Sequence, residues 1–141
     1  MEPKIVRVGP GDEALLDRVA PDVFDEAVNP AFLAAYLAER RHMMVLAVRD
    51  GVVVGQTRGM VHLSPDQPPE LYVDNMGVTP ALWRRGIGGR LLDELMTWGH
   101  EQGCAYAWLG TELDNIEARG LYESRRFKGT EMVVYELDTA D

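Results

Sequence analysis

The stretch Glu70-Leu71-Tyr72-Val73-Asp74-Asn75-Met76-Gly77-Val78-Thr79-Pro80, continued by Ala81-Leu82-Trp83-Arg84-Arg85-Gly86-Ile87-Gly88-Gly89-Arg90-Leu91-Leu92, decides how this chain is read. Its first part runs out as a strand, and its last part opens a helix whose apolar face is marked by Ile87, Leu91, Leu95 and Trp98. Gly86-Ile87-Gly88-Gly89 at the head of that helix leaves backbone N–H groups free of side-chain obstruction at the positive end of the helix dipole, a geometry suited to a pyrophosphate. Arg84, Arg85 and Arg90 form a basic cluster beside it. No Lys-Ser/Thr pair follows, so a nucleoside triphosphate loop fails, and Leu91 occupies the third glycine position of a dinucleotide loop. On the glycines alone, simple turn chemistry stays open.

Working outward, Asp74, Asn75 and Gly77 are poor strand formers, which predicts a bulge or a splayed segment there. Upstream, Met44 to Val48 and Val52 to Val61 are β-rich runs joined by Asp50-Gly51, a hairpin signal. Ile5 to Val8 reads as a first strand, followed by a helix capped by Asp12 and carrying Leu15, Leu16 and Val19. Asn29-Pro30 reads as the cap and first residue of a second helix carrying Leu33, Tyr36, Leu37 and Arg40. Downstream, Gly103 ends the glycine-loop helix, and Ala105 to Leu109 is a fifth strand. Asp114-Asn115 caps a helix through Ser124, and Met132 to Leu137 makes a final strand, with one more short strand conceivable near Phe127. The order βααβββαβαβ is a mixed α/β sheet.

A length of 141 residues suits one domain, residues 1–141, with 46% hydrophobic and 26% charged residues in the ordinary globular range. No apolar run approaches a bilayer span, and the N-terminus lacks the regions of a signal peptide, so a cytoplasmic protein is expected. The lone Cys104 fits a reducing compartment and reads as a small buried hydrophobe. A net charge of −9 disfavours nucleic acid and anionic membranes and favours cationic partners.

Val78-Thr79-Pro80, a five-residue gap, Gly86-Ile87-Gly88 and then Leu91-Leu92 resembles the acetyl-CoA loop of the GNAT N-acetyltransferases. Asn115-Ile116-Glu117-Ala118-Arg119-Gly120-Leu121-Tyr122, with Phe127 after it, resembles that family's later motif, Asn-x-x-Ala-x-x-Leu-Tyr followed by Gly-Phe. The two motifs stand in the family's order with one strand between them. Trp83 stands where members usually carry Gln or Arg, and Arg126 where they carry Gly. Within the family, Glu70 to Gly88 and the tail Glu131 to Asp138 loosely resemble the small aminoglycoside 3-N-acetyltransferase branch.

The resemblance implies a single-domain, mixed, mostly antiparallel sheet flanked by helices, with acetyl-CoA as cofactor. It implies cofactor contacts from Met76, Gly77 and Val78, from Arg84 to Gly89, and from Asn115 and Tyr122. It also implies that the Met76–Val78 strand splays from the Ala105–Leu109 strand to admit the cofactor. Tyr122 would protonate the departing thiolate. Asn115 reads first as a helix cap. An amine must lose a proton before attack, and Asp74 and Glu112 are the candidate bases, with His62 behind them. No metal-ligand or Cys–His spacing competes. The expected partner is a small-molecule or peptide amine, an aminoglycoside- or polyamine-like polycation being the acceptor that the acidic balance suits. A homodimer is the self-assembly considered.

Overall fold

The computed structural model describes residues 2–140 and divides into two compact units, residues 1–110 and 111–141. The first unit carries β1 (Lys4–Val8), β2 (His42–Arg49), β3 (Val52–His62), β4 (Glu70–Val78) and β5 (Tyr106–Trp108), side by side in chain order. The first three junctions are antiparallel and β4 runs parallel to β5. The expected mixed, mostly antiparallel sheet with flanking helices is thus what forms.

Local chemistry explains the connections. Asp50 and Gly51 both take positive φ, 54° and 76°, which turns β2 into β3 with the twist a two-residue hairpin needs. The Asn29 side chain accepts from the amides of Ala31 and Phe32 at 2.9 and 3.1 Å, and Pro30 starts α1 (Pro30–Ala38). Val23, Leu37, Met44, Leu46 and Val53 form a core on one face of the sheet. On the other face α2 (Ile87–Glu101) buries Leu91, Leu92 and Leu95 completely. The helix comes so close that a Cβ added at Gly59 would lie 3.1 Å from methyls of both Leu71 and Leu95.

Four expectations require correction. The segment after β1 forms a single 3-10 turn, Glu13–Leu16, and Val19 instead bridges Val53 in parallel, so pairing with β3 overrides helical spacing. Asp12 does not cap that turn; its carboxylate accepts from the Gly9 amide at 2.9 Å. Residues 128–140 hold no regular structure, and Met132, Val133, Val134, Tyr135 and Leu137 are all exposed, so the alternating pattern there forms no strand. A strand is stabilised only through its ladder and its buried face, and this segment has neither. No strand forms near Phe127 either. Among the described residues the second unit holds one helix, α3 (Ile116–Ser124).

Candidate active site

β5 pairs with β4 over three residues only, Glu70, Leu71 and Tyr72 against Tyr106, Ala107 and Trp108. Beyond Tyr72, β4 continues to Val78 without β5 beside it. The Thr79 amide donates to Val54 O at 2.9 Å, toward β3. Because an antiparallel ladder alternates direction residue by residue, the amides of Val78 and Met76 point away from β3, to the open edge. That edge offers backbone donors to an extended ligand. The register shift opposite Arg58 and Gly59 makes Asp74 the extra residue of a bulge, and it is exposed. At Gly77, a Cβ would fall 2.3 Å from Val23 O, so the strand there lies directly against the loop before α1.

The chain then makes a 3-10 turn over Pro80–Leu82 and enters α2 through Gly86, at φ 78° and ψ 10°. Arg84 is also left-handed, at φ 65°. The first amides of this 15-residue helix are presented with no Cβ at positions 86, 88 and 89, as an anion needs. The indole Nε1 of Trp83 donates to Val78 O at 2.6 Å. Arg85 borders a hollow of about 240 Å3 shared with Arg49, Leu82 and Ile87. Arg90 is committed elsewhere, to Glu2 at 2.9 Å and Pro3 O at 3.0 Å, so it leaves the expected basic cluster. The residues fit a ligand that joins a pyrophosphate to an amide-bearing arm.

In the second unit, the Asn115 side chain accepts from the Ala118 amide at 3.3 Å and donates to Thr111 Oγ1 at 3.3 Å, which makes it a helix cap. Tyr122 packs on Phe127, ring centroids 5.9 Å apart, and burial pushes its phenol pKa up. Arg126 takes φ 72° where a glycine would be at ease, so the turn keeps its left-handed form despite the substitution. Glu112 is exposed.

Sequence reasoning missed three residues of the first unit. Tyr36, Gln56 and Arg58 each have a buried side-chain polar atom without a hydrogen-bond partner among the described residues. Only polar residues inside apolar runs hinted at them. His62 is exposed at the end of β3, opposite Glu70. Cys104 is half-buried, and burial raises its thiol pKa. Among the described residues no group of three or more His, Cys, Asp or Glu could hold a metal, and no helix is long and apolar enough to cross a membrane.

The model of the acetyltransferase (GNAT) family matches residues 13–127. N-alpha-acetyltransferase RimI of Mycobacterium tuberculosis (strain ATCC 25618 / H37Rv) is 36% identical over 121 residues, 84% of this chain and 74% of that protein. The uncharacterized N-acetyltransferase YhfO of Bacillus subtilis (strain 168) is 30% identical over 99 residues, 70% of this chain and 66% of its own length, just under two thirds. Among solved structures, AAC(6')-Iy bound to a CoA bisubstrate analog shares the fold, with TM-score 0.77, 18% identity, and coverage of 99% of this chain and 100% of that one. The chain belongs to the acetyltransferase (GNAT) family.

Proposed function

We propose that residues 1–141 act as one domain that moves the acetyl group of acetyl-CoA directly onto a primary amine. The observation that carries this reading is the succession within one segment of an open strand edge at Met76–Val78 and a left-handed Gly86 leading into α2. The family match also runs across the boundary between the two units, which supports one domain.

When bound, acetyl-CoA supplies a thioester carbonyl. The amides of Gly86, Ile87, Gly88 and Gly89 hold the pyrophosphate, with Arg84 and Arg85 adding charge. Met76, Gly77 and Val78 bind the arm through their backbone, and the Met76 or Val78 amide stabilises negative charge on the carbonyl oxygen. The amine nitrogen bonds to the carbonyl carbon as the carbon–sulfur bond breaks, giving an amide and a thiol. The amine proton passes to Asp74, the exposed bulge residue two positions from Met76, or to Glu112. Tyr122 gives its proton to sulfur; burial keeps the phenol protonated and also makes it the weaker acid. Asn115 serves chiefly as the cap of α3.

Two acceptor chemistries have support. The net charge of −9 favours a small polycation, and a protein of the same fold is named for an aminoglycoside. A relative at 36% identity is named for N-alpha-acetylation, which favours an α-amine. A cytoplasmic setting is proposed on the lone Cys104, and a homodimer is compatible with the fold.

The test is thiol release from acetyl-CoA in the presence of an amine panel. Turnover that requires an amine supports the reading; binding of acetyl-CoA without turnover on any amine would leave a cofactor-binding module instead.

A further inference from the structure

Tyr36 Oη, Gln56 Oε1 and Arg58 Nε are the buried side-chain atoms left without a partner among the described residues. They converge. Gln56 and Arg58 alternate on one face of β3, opposite Gly77 and Asn75, and so flank Met76 of the open edge. Tyr36 comes from α1; its ring is 5.2 Å from that of His42, which pairs with Met60, the next residue along the same face of β3. Burial pushes the Tyr36 phenol above its ordinary range, with Arg58 opposing and Asp74 adding, so both charges act on that hydroxyl.

Each group is held and unspent. Gln56 is fully buried, and its Nε2 donates to Val23 O at 3.1 Å and Asn75 Oδ1 at 2.8 Å, which fixes the amide and leaves Oε1 as a free acceptor. The Arg58 guanidinium lies over the Phe24 ring, 5.8 Å from its centroid. Arg7 pairs with Glu94 and Glu101, and Arg90 with Glu2, whereas half-buried Arg58 has no ion pair among the described residues. Arg58 Nε is buried without an acceptor, and a ligand carboxylate would supply one.

The face therefore offers a cationic donor and a phenol near the Asp74 bulge, and a neutral acceptor, Gln56 Oε1, two residues along β3 toward Gly77. We propose that Tyr36, Gln56 and Arg58 recognise the acceptor, and that the acceptor is a small amine carrying a carboxylate, in the manner of an amino acid. Its carboxylate takes Arg58 and Tyr36, and its amine turns toward Gln56 Oε1, beside Met76. A polycation meets a like charge at Arg58. The inference rests on the acetyl-transfer reading and chooses within it.

The experiment compares thiol release with the twenty amino acids, their carboxamides and spermidine, for the native chain and Arg58→Gln. At least one amino acid should show a kcat/KM about 10-fold or more above its carboxamide, the size of a charge-assisted hydrogen bond lost. Arg58→Gln should bring the acid down to the level of the amide, through KM, while acetyl-CoA affinity stays within about twofold. Equal or better use of amides or spermidine by the native chain overturns the proposal, as does a preference that survives Arg58→Gln. Should Arg58→Gln be unfolded by circular dichroism, Tyr36→Phe replaces it and should weaken the preference at least about threefold; an unchanged preference overturns the proposal.

If no amine releases thiol, the acetyl-transfer reading fails, and the site is tested by itself through melting curves with the same amino acids and coenzyme A. Stabilisation by an amino acid that Arg58→Gln abolishes keeps the site, and no stabilisation by any of them overturns it.

Discussion

The indole Nε1 of Trp83 donates a 2.6 Å hydrogen bond to the carbonyl oxygen of Val78. Val78 ends β4, and Trp83 stands three residues before Gly86, so this bond ties the end of the open strand to the start of the glycine loop. Trp83→Phe keeps an aromatic ring, smaller than the indole, and deletes the donor. Acetyl-CoA should bind about 2- to 10-fold more weakly, the worth of one hydrogen bond of 0.5–1.5 kcal/mol, with kcat at saturation little changed. Calorimetric titration checks it, and an unaltered Kd would mean that the loop holds its place without the tie.

Gly86 should separate strain from charge. At φ 78° an alanine costs about 1–2 kcal/mol in backbone conformation, although no atom lies within 4 Å of its Cβ. An aspartate adds a carboxylate beside the helix amides proposed to hold the pyrophosphate. Gly86→Asp should therefore abolish measurable acetyl-CoA binding, while Gly86→Ala binds more weakly than the native chain but measurably. Equal affinities for the two variants would remove the phosphate role.

Gly77→Ala should destabilise the fold by about 1–3 kcal/mol in urea titration, because Val23 O occupies the space 2.3 Å from the new Cβ and must move with its backbone. The control is Gly129→Ala, where nothing lies within 4 Å and φ is not positive; its change should stay within about 0.5 kcal/mol. Similar values for both would mean that the loop before α1 yields freely.

Tyr122→Phe should lower kcat on the order of 10²-fold, with acetyl-CoA affinity and melting temperature little changed. Burial raises the phenol pKa, so the protonated form persists past the ordinary value of about 10 and the acid limb of kcat should fall only above that pH. Equal turnover by both chains in single-turnover measurements would assign the proton to solvent.

Stability should also turn down in alkali. Burial raises the pKa of both Tyr36 and Tyr122 in the folded chain. Below about pH 10 neither tyrosine ionises in either state, and stability is fully present. As pH rises further the unfolded chain releases these protons first, so stability falls until the folded pKa values are passed. Urea midpoints between pH 9 and 11 check the direction, and Tyr36→Phe should flatten the fall.

Much of the fold was legible because its signals act over a few residues. Asp50-Gly51 turns a hairpin through its own dihedral preferences, Asn29 caps α1 through its own side chain, and Glu70 to Val78 runs as a strand whose bulge falls at Asp74, inside the Asp74–Gly77 stretch expected to bulge or splay. The glycine loop sits where Ile87, Leu91, Leu95 and Trp98 begin their helical spacing. Local patterns misled where a distant partner decided the outcome. Val19 joined Val53 rather than a helix, and Met132 to Leu137, strand-like in composition, formed no ladder.

The sequence by itself determined the family, the phosphate-suited loop and the β4 segment that precedes it, since each depends on residue types at fixed short spacings. Only the tertiary structure decided that Arg90 serves the N-terminal segment, that Trp83 reaches back to Val78, and that Tyr36, Gln56 and Arg58 meet on one face of the sheet. Hydrogen-bond satisfaction and desolvation depend on what surrounds an atom, and those surroundings are assembled from segments far apart in the chain.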